Sequence, residues 1–201
     1  MSTFSRKFRS IGAIAFVCAV SAMCVESRFA LADESSENAS RAPKTAPLGL
    51  ELGVTTRQEV EALFGEQLGL EYQGISLYTE GPILKGSGAQ LPFEGAKSSL
   101  FVFDADNRLA FLSITMNKSQ RTFESMEKGL KSKYKLLRRV APFVGNRFAR
   151  FQSGAVFIEL DAPHLSFDMF LSYQTLAFEK AYLAEQARQK KMKANAQNNA
   201  L

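Results

Sequence analysis

Apolar residues are densest in Ser98–Met116, where two runs flank the polar stretch Asp104-Ala105-Asp106-Asn107. Asp and Asn tolerate the left-handed backbone that a tight reversal needs. The stretch therefore predicts a β-hairpin, with Leu100-Phe101-Val102-Phe103 before the turn and Leu109–Ile114 after it. Nearly every position in both strands is apolar, the pattern of central strands covered on at least one face.

Upstream, Leu48–Gly53 reads as a short extended segment. A helix follows it. Thr55 and Thr56 can cap, with Gln58 and Glu59 three residues on, a capping-box spacing. Val60, Leu63 and Phe64 make an apolar stripe, and Gly65 is placed to end the helix. Leu70–Tyr78 reads as a strand, Gly81-Pro82 as a break, and Ala89–Phe93 as a further strand after Gly86-Ser87-Gly88. That glycine triplet lacks the Lys-Ser/Thr tail of a phosphate loop, so it reads as a turn.

Downstream, Ser119 can cap a second helix, whose core stripe is Phe123, Met126, Leu130 and Tyr134. Gly129 within it suggests close approach to the sheet. Lys135–Val140, Arg147–Gln152, Ala155–Leu160 and Ser166–Tyr173 then read as a four-strand meander, separated by Pro142 with Gly145-Asn146, by Ser153-Gly154 and by Ala162-Pro163. Leu176–Leu201 begins as a helix with a thin apolar face of Leu176, Tyr182 and Leu183, and is expected to fray after Arg188.

The order is helix, about four strands, helix, four strands, helix. It predicts an α+β fold: one antiparallel sheet of about eight strands, built from two helix-plus-meander units, with both helices on one face and an extra C-terminal helix. Phe101, Phe103, Phe157 and Phe170 are candidates for the second face, which the tail helix is placed to cover.

The N-terminal segment changes the expected compartment. Arg6, Lys7 and Arg9 precede an apolar run from Ile11 to Met23, and Ala30-Leu31-Ala32 matches an export cleavage site. The run is short for a membrane span. Met23 is too large for the usual lipid-attachment pattern at Cys24. The expectation is a signal peptide (1–32) cleaved after Ala32, a flexible leader (33–46), an α+β domain (47–175, with units 47–117 and 118–175), and a C-terminal helix with a basic tail (176–201). Both cysteines, Cys18 and Cys24, fall inside the signal. A periplasmic form would then hold together by its core alone, without disulfides, thiol chemistry or cysteine-bound metal.

Charge is divided unevenly. Residues 47–117 carry 4 basic and 9 acidic side chains, whereas residues 118–201 carry 15 basic and 7 acidic. Lys128, Lys131, Lys133, Lys135, Arg138, Arg139, Arg147 and Arg150 form a basic stretch with no acid between positions 128 and 150. It is either a solvated face or a surface for an anionic partner, such as an acidic envelope protein, anionic lipid or lipopolysaccharide. No nucleic-acid recognition motif accompanies it. The acidic first half also permits head-to-tail self-association with the basic second half.

Candidate chemistry is sparse. His164 is the single histidine, flanked by Asp161 and Asp168. One histidine makes a poor transition-metal site, and no G-x-S-x-G elbow occurs. Asp104 and Asp106 lack the further ligands of a Ca²⁺ loop. No metal or other cofactor is expected. A small hydrolase using Asp161, His164 and Asp168, and a structural envelope component held at the membrane by its basic tail, are the alternatives to a non-enzymatic binding module.

Gly53-Val54-Thr55-Thr56, Val60, Leu63-Phe64-Gly65 and the hairpin Phe103–Ile114 together resemble the opening of the small outer-membrane assembly lipoproteins of the SmpA/OmlA family. The resemblance covers Leu48 to Met116. It implies a fold akin to the β-lactamase inhibitory protein and a binding or scaffolding role in the cell envelope. It transfers no catalytic residue.

Overall fold

The computed structural model describes residues 45–199. The expected signal peptide and all but the last two residues of the leader lie outside the described residues. The hairpin forms as its sequence dictates, with β3 at Ala96–Asp104 and β4 at Leu109–Asn117. Asp104 Oδ1 accepts from the backbone N–H of Asp106 at 3.0 Å and of Arg108 at 2.8 Å, and Asn107 takes a left-handed φ of 59°. The turn is thus held by the side chain that announces it.

Six further strands complete one antiparallel sheet: β1 (Glu71–Ile75), β2 (Glu80–Ser87), β5 (Lys135–Val140), β6 (Arg147–Ser153), β7 (Val156–Ala162) and β8 (Asp168–Thr175). Their order is β1-β2-β3-β4-β8-β7-β6-β5. Each unit is a meander of four strands, and β4 and β8, the last strand of each, join them. Ser113 pairs with Ser172 at the middle of that seam.

Helix α1 spans Arg57–Leu68 and opens on the expected capping box. Thr56 accepts from the Glu59 N–H, while Glu59 accepts from the Thr56 N–H at 2.7 Å. It does not stop at Gly65. Leu68 is buried one turn later, and the left-handed residue is Gly69, at φ 58°. Burial of Leu68 outweighs the weak helix propensity of Gly65. The core-facing stripe is Val60, Phe64 and Leu68, at i, i+4 and i+8, with Phe64 half-buried and Leu63 exposed.

The first meander also departs from the expected punctuation. Gly81-Pro82 lies inside β2, and Ala89–Phe93 forms turns instead of a strand. A Cβ on Gly81 would lie 2.2 Å from the Asp104 carbonyl oxygen. Glycine is required there for close backbone approach at the bulge between Glu80 and Ile83, and the chain does not reverse.

Helix α2 (Gln120–Lys131) is capped by Ser119, which accepts from the Thr122 N–H at 3.0 Å. Phe123 and Leu130 are buried, with Met126 and Tyr134 half-buried beside them. Gly129 is exposed, and a Cβ there would meet nothing within 4 Å, so it marks no approach to the sheet. Helix α3 runs from Leu176 to Asn199 without fraying after Arg188. That segment holds Ala, Gln, Lys, Met and Asn with neither Gly nor Pro, and Arg188 pairs with Glu185 at 2.7 Å.

Both α1 and α2 pack on one face of the sheet. Val60, Leu68, Phe123 and Leu130 share a core with Leu84, Phe101, Phe103, Leu112, Ile114, Phe151, Ile158 and Leu171. Fully burying such a side chain stabilises by about 1.5–3 kcal/mol, and most of the buried apolar side chains lie in this layer. Phe101 and Phe103 belong to it and not to the second face. Strand β3 is apolar on both sides, so alternation alone does not say which set meets the helices. The second face carries Leu100, Val102 and Phe111, and α3 seats Phe178 and Tyr182 against it.

Candidate functional site

Helix α3 covers only part of the second face, and an open cleft of about 560 Å³ remains. Its floor is Ile83, Leu100, Val102, Phe111, Phe170 and Ser172, drawn from β2, β3, β4 and β8. One wall is Phe178 and Tyr182 of α3, and another is the Ile75–Tyr78 turn between β1 and β2. An aromatic cluster sets the mouth. Phe111 stacks on Phe178 at 4.6 Å between ring centroids, and Tyr78 meets Tyr182 edge-on at 5.1 Å. Ile75 and Leu77 stand exposed beside it.

The cleft also has a charged wall. Glu159 and Asp161 are two apart on β7, so both face it. Arg150, opposite Glu159 on β6, bonds Glu159 at 3.1 Å, bonds Glu179 of α3, and lies 4.3 Å over the Phe157 ring. Burial pushes the Glu159 carboxyl up; Arg150 opposes that, and the negative charges of Glu179 and Asp161 add to it. Burial likewise raises Asp161, against a lowering hydrogen bond from the Ala162 backbone. Asp161 has no ion pair among the described residues. The cleft therefore joins an apolar, aromatic floor to a partly desolvated carboxylate, a combination that suits amphipathic ligands.

The basic stretch is split by the fold. Lys131 and Arg139 both reach Glu127 Oε1 at 2.6 Å, on the α2 side of the sheet. Arg147 lies 3.6 Å from Glu124 on that same side, whereas Arg150 faces the cleft side. Lys128, Lys133, Lys135 and Arg138 are exposed and carry no ion pair among the described residues. Lys135, Arg138 and Arg139 sit on β5, an edge strand of the sheet. Charged side chains on an edge strand discourage pairing with another sheet, so these three have a structural role whatever else they do.

The residues of the hydrolase alternative are dispersed. Asp161 points into the cleft, Asp168 bonds Lys97 at 2.5 Å, and His164 is exposed in the β7–β8 turn. The His164 N–H donates to Asn146 Oδ1 at 2.7 Å. Among the described residues, no three His, Cys, Asp or Glu side chains are grouped to hold a metal ion.

Tyr78, Phe111, Glu159 and Phe178 are cleft residues that sequence reasoning passed over, whereas Tyr182 was read as part of the apolar face of α3. A signal existed for some of them. Glu159 and Asp161 alternate with Val156, Ile158 and Leu160, and Phe178 and Tyr182 stand at i, i+4.

No protein-family model matches the chain, and no curated protein matches it. Among solved structures, it is similar to the crystal structure of a DUF4309 family protein (YjgB) from Bacillus subtilis subsp. subtilis str. 168. Identity is 11% and the TM-score 0.35, over 63% of this chain and 82% of the other.

Proposed function

We propose that this is a non-enzymatic binding module of the bacterial cell envelope, exported to the periplasm. The observation that carries the reading is the aromatic-mouthed cleft on the second sheet face. Its volume falls among those of small-molecule sites, roughly 300–1,000 Å³. The ligand class is amphipathic: an apolar body over Leu100, Val102 and Phe111, with a cationic or hydrogen-bond-donating end at Asp161. The cations Lys128, Lys133, Lys135 and Arg138, unpaired among the described residues, add positive charge that draws an acidic partner or membrane. The export signal, and the resemblance to the outer-membrane assembly lipoproteins, support the envelope location.

A cleft-filling substitution tests the reading. Ser172→Phe places a ring on the floor at the β4–β8 seam. Titration with a long-chain alkylamine carrying a fluorescent reporter should show binding to the wild-type chain. Ser172→Phe should weaken it at least about tenfold, the loss expected when one apolar group no longer fits. Equal binding by both folded proteins would remove the cleft from the proposal.

A further inference from the structure

Three of the described residues are at least nine-tenths exposed yet large and apolar: Phe143 (98%), Leu165 (94%) and Phe167 (90%). All three lie at one end of the sheet, on two neighbouring loops. Phe143 is in the 141–146 connection from β5 to β6, next to exposed Val144. Leu165 and Phe167 are in the 163–167 connection from β7 to β8. The loops are tied together by the His164 N–H to Asn146 Oδ1 bond and to the α2 entrance by Lys118. The Lys118 ammonium donates to the carbonyls of Pro163 at 2.5 Å and His164 at 2.9 Å, and its backbone N–H donates to Phe167 O at 2.8 Å.

Exposed single apolar residues need no explanation, but convergence of the most exposed ones on one tip does. Neither loop contains an Asp, Glu, Lys or Arg. Behind the loops stands a cationic collar: Lys118, Arg121, Arg138, Arg139 and Arg147, with Lys97 at the start of β3. Three of these cations are matched by acids, Arg147 by Glu124, Arg139 by Glu127 and Lys97 by Asp168, which leaves Lys118, Arg121 and Arg138 without an ion pair among the described residues. Glu94, exposed two residues before β3, is an acid there without an ion pair among the described residues. An uncharged apolar tip ringed by positive charge fits a surface whose interior is hydrocarbon and whose face is anionic. The apolar groups enter without desolvating a charge, while the collar meets headgroups.

We propose that this tip, with Phe143, Leu165 and Phe167 as the inserted residues, docks the protein peripherally on an anionic lipid bilayer. No helix among the described residues is long and apolar enough to cross a membrane. The proposal stands apart from the cleft, which opens on the sheet face.

Co-sedimentation of the chain beginning at Asp33, as expected after export, tests it, using vesicles of phosphatidylcholine alone and of phosphatidylcholine with phosphatidylglycerol. The wild-type chain should bind the anionic vesicles, and raised salt should weaken that binding without abolishing it. The triple variant Phe143→Ser, Leu165→Ser, Phe167→Ser should lose more than about tenfold in partitioning. Its thermal unfolding should stay unchanged because these side chains are exposed. Alkylamine binding in the cleft should also persist, which separates this result from the cleft reading. Wild-type protein that ignores anionic vesicles, or a triple variant that still binds them fully, overturns the proposal. So does a concentration-dependent dimer that the variant loses while vesicles go unbound, which would assign the tip to a second copy.

Discussion

Arg139 Nε donates to Glu127 Oε1 at 2.6 Å, joining edge strand β5 to the inner side of α2. The Glu127 side chain is only 5% exposed, and Lys131 reaches the same oxygen from the next turn. Burial pushes this carboxyl up, but the bonds and charges of Arg139 and Lys131 outweigh it and hold the group below its usual range. The pair therefore stabilises the fold above the unfolded carboxyl pKa of about 4.3, and that contribution is lost as pH falls through the lower folded value. Glu127→Gln should cost about 1–2 kcal/mol at neutral pH. The difference in melting temperature from the wild type should close on acidification, and a gap that stays constant with pH would contradict the assignment.

Asp161 behaves in the opposite sense. Its carboxyl is raised by burial in the cleft wall, so ionisation costs stability above the folded pKa. That cost is relieved as pH falls toward the unfolded value of about 3.9. Asp161→Asn should raise the melting temperature at neutral pH, and the gain should vanish on acidification. The same variant should weaken capture of the alkylamine, because the unpaired carboxylate is the group assigned to its ammonium.

Two glycines four residues apart should respond oppositely to alanine. Gly65 lies within α1 with nothing inside 4 Å of a new Cβ, so Gly65→Ala should stabilise by roughly 0.5–1 kcal/mol. Gly69 has equal space but a φ of 58°, so Gly69→Ala should destabilise by about 1–2 kcal/mol. Urea unfolding of both variants checks the pair; loss of stability at Gly65 would show that α1 ends there.

Phe178 anchors α3. Its ring stacks on Phe111 and meets Tyr78 edge-on at 6.0 Å. Phe178→Ala should cost about 3–5 kcal/mol if the helix stays seated, and less if α3 simply lifts away. Hydrogen exchange separates the two: faster exchange confined to 176–199 would report release of α3, and uniform protection would contradict its anchoring by this ring.

The basic stretch shows how far a linear reading reaches. Eight cations without an intervening acid look continuous along the chain. In the fold, Glu124 and Glu127 come from the preceding helix, and Glu159 and Glu179 from a neighbouring strand and α3. Pairing across strands and helices is set by register and packing, which sequence spacing does not encode beyond a few residues. The loop tip was passed over for a related reason. Pro142 and Gly145-Asn146 mark Phe143 as a loop residue, but Phe167 falls inside the run Ser166–Tyr173 that reads as a strand, and nothing local says that the two loops meet.

By itself, the sequence determined the local structure: the Asp104–Asn107 turn, the Thr56 and Ser119 helix starts, the second meander and the order of elements. These rest on side-chain-to-backbone bonds and alternation that act within a few residues. Only the tertiary structure decided which face Phe101 and Phe103 occupy, where α1 stops, and why Gly81 is glycine. It alone gathered residues from β1 to α3 into one cleft and two loops into one tip. Those outcomes depend on contacts between distant segments, where burial overrides the preference of any single residue.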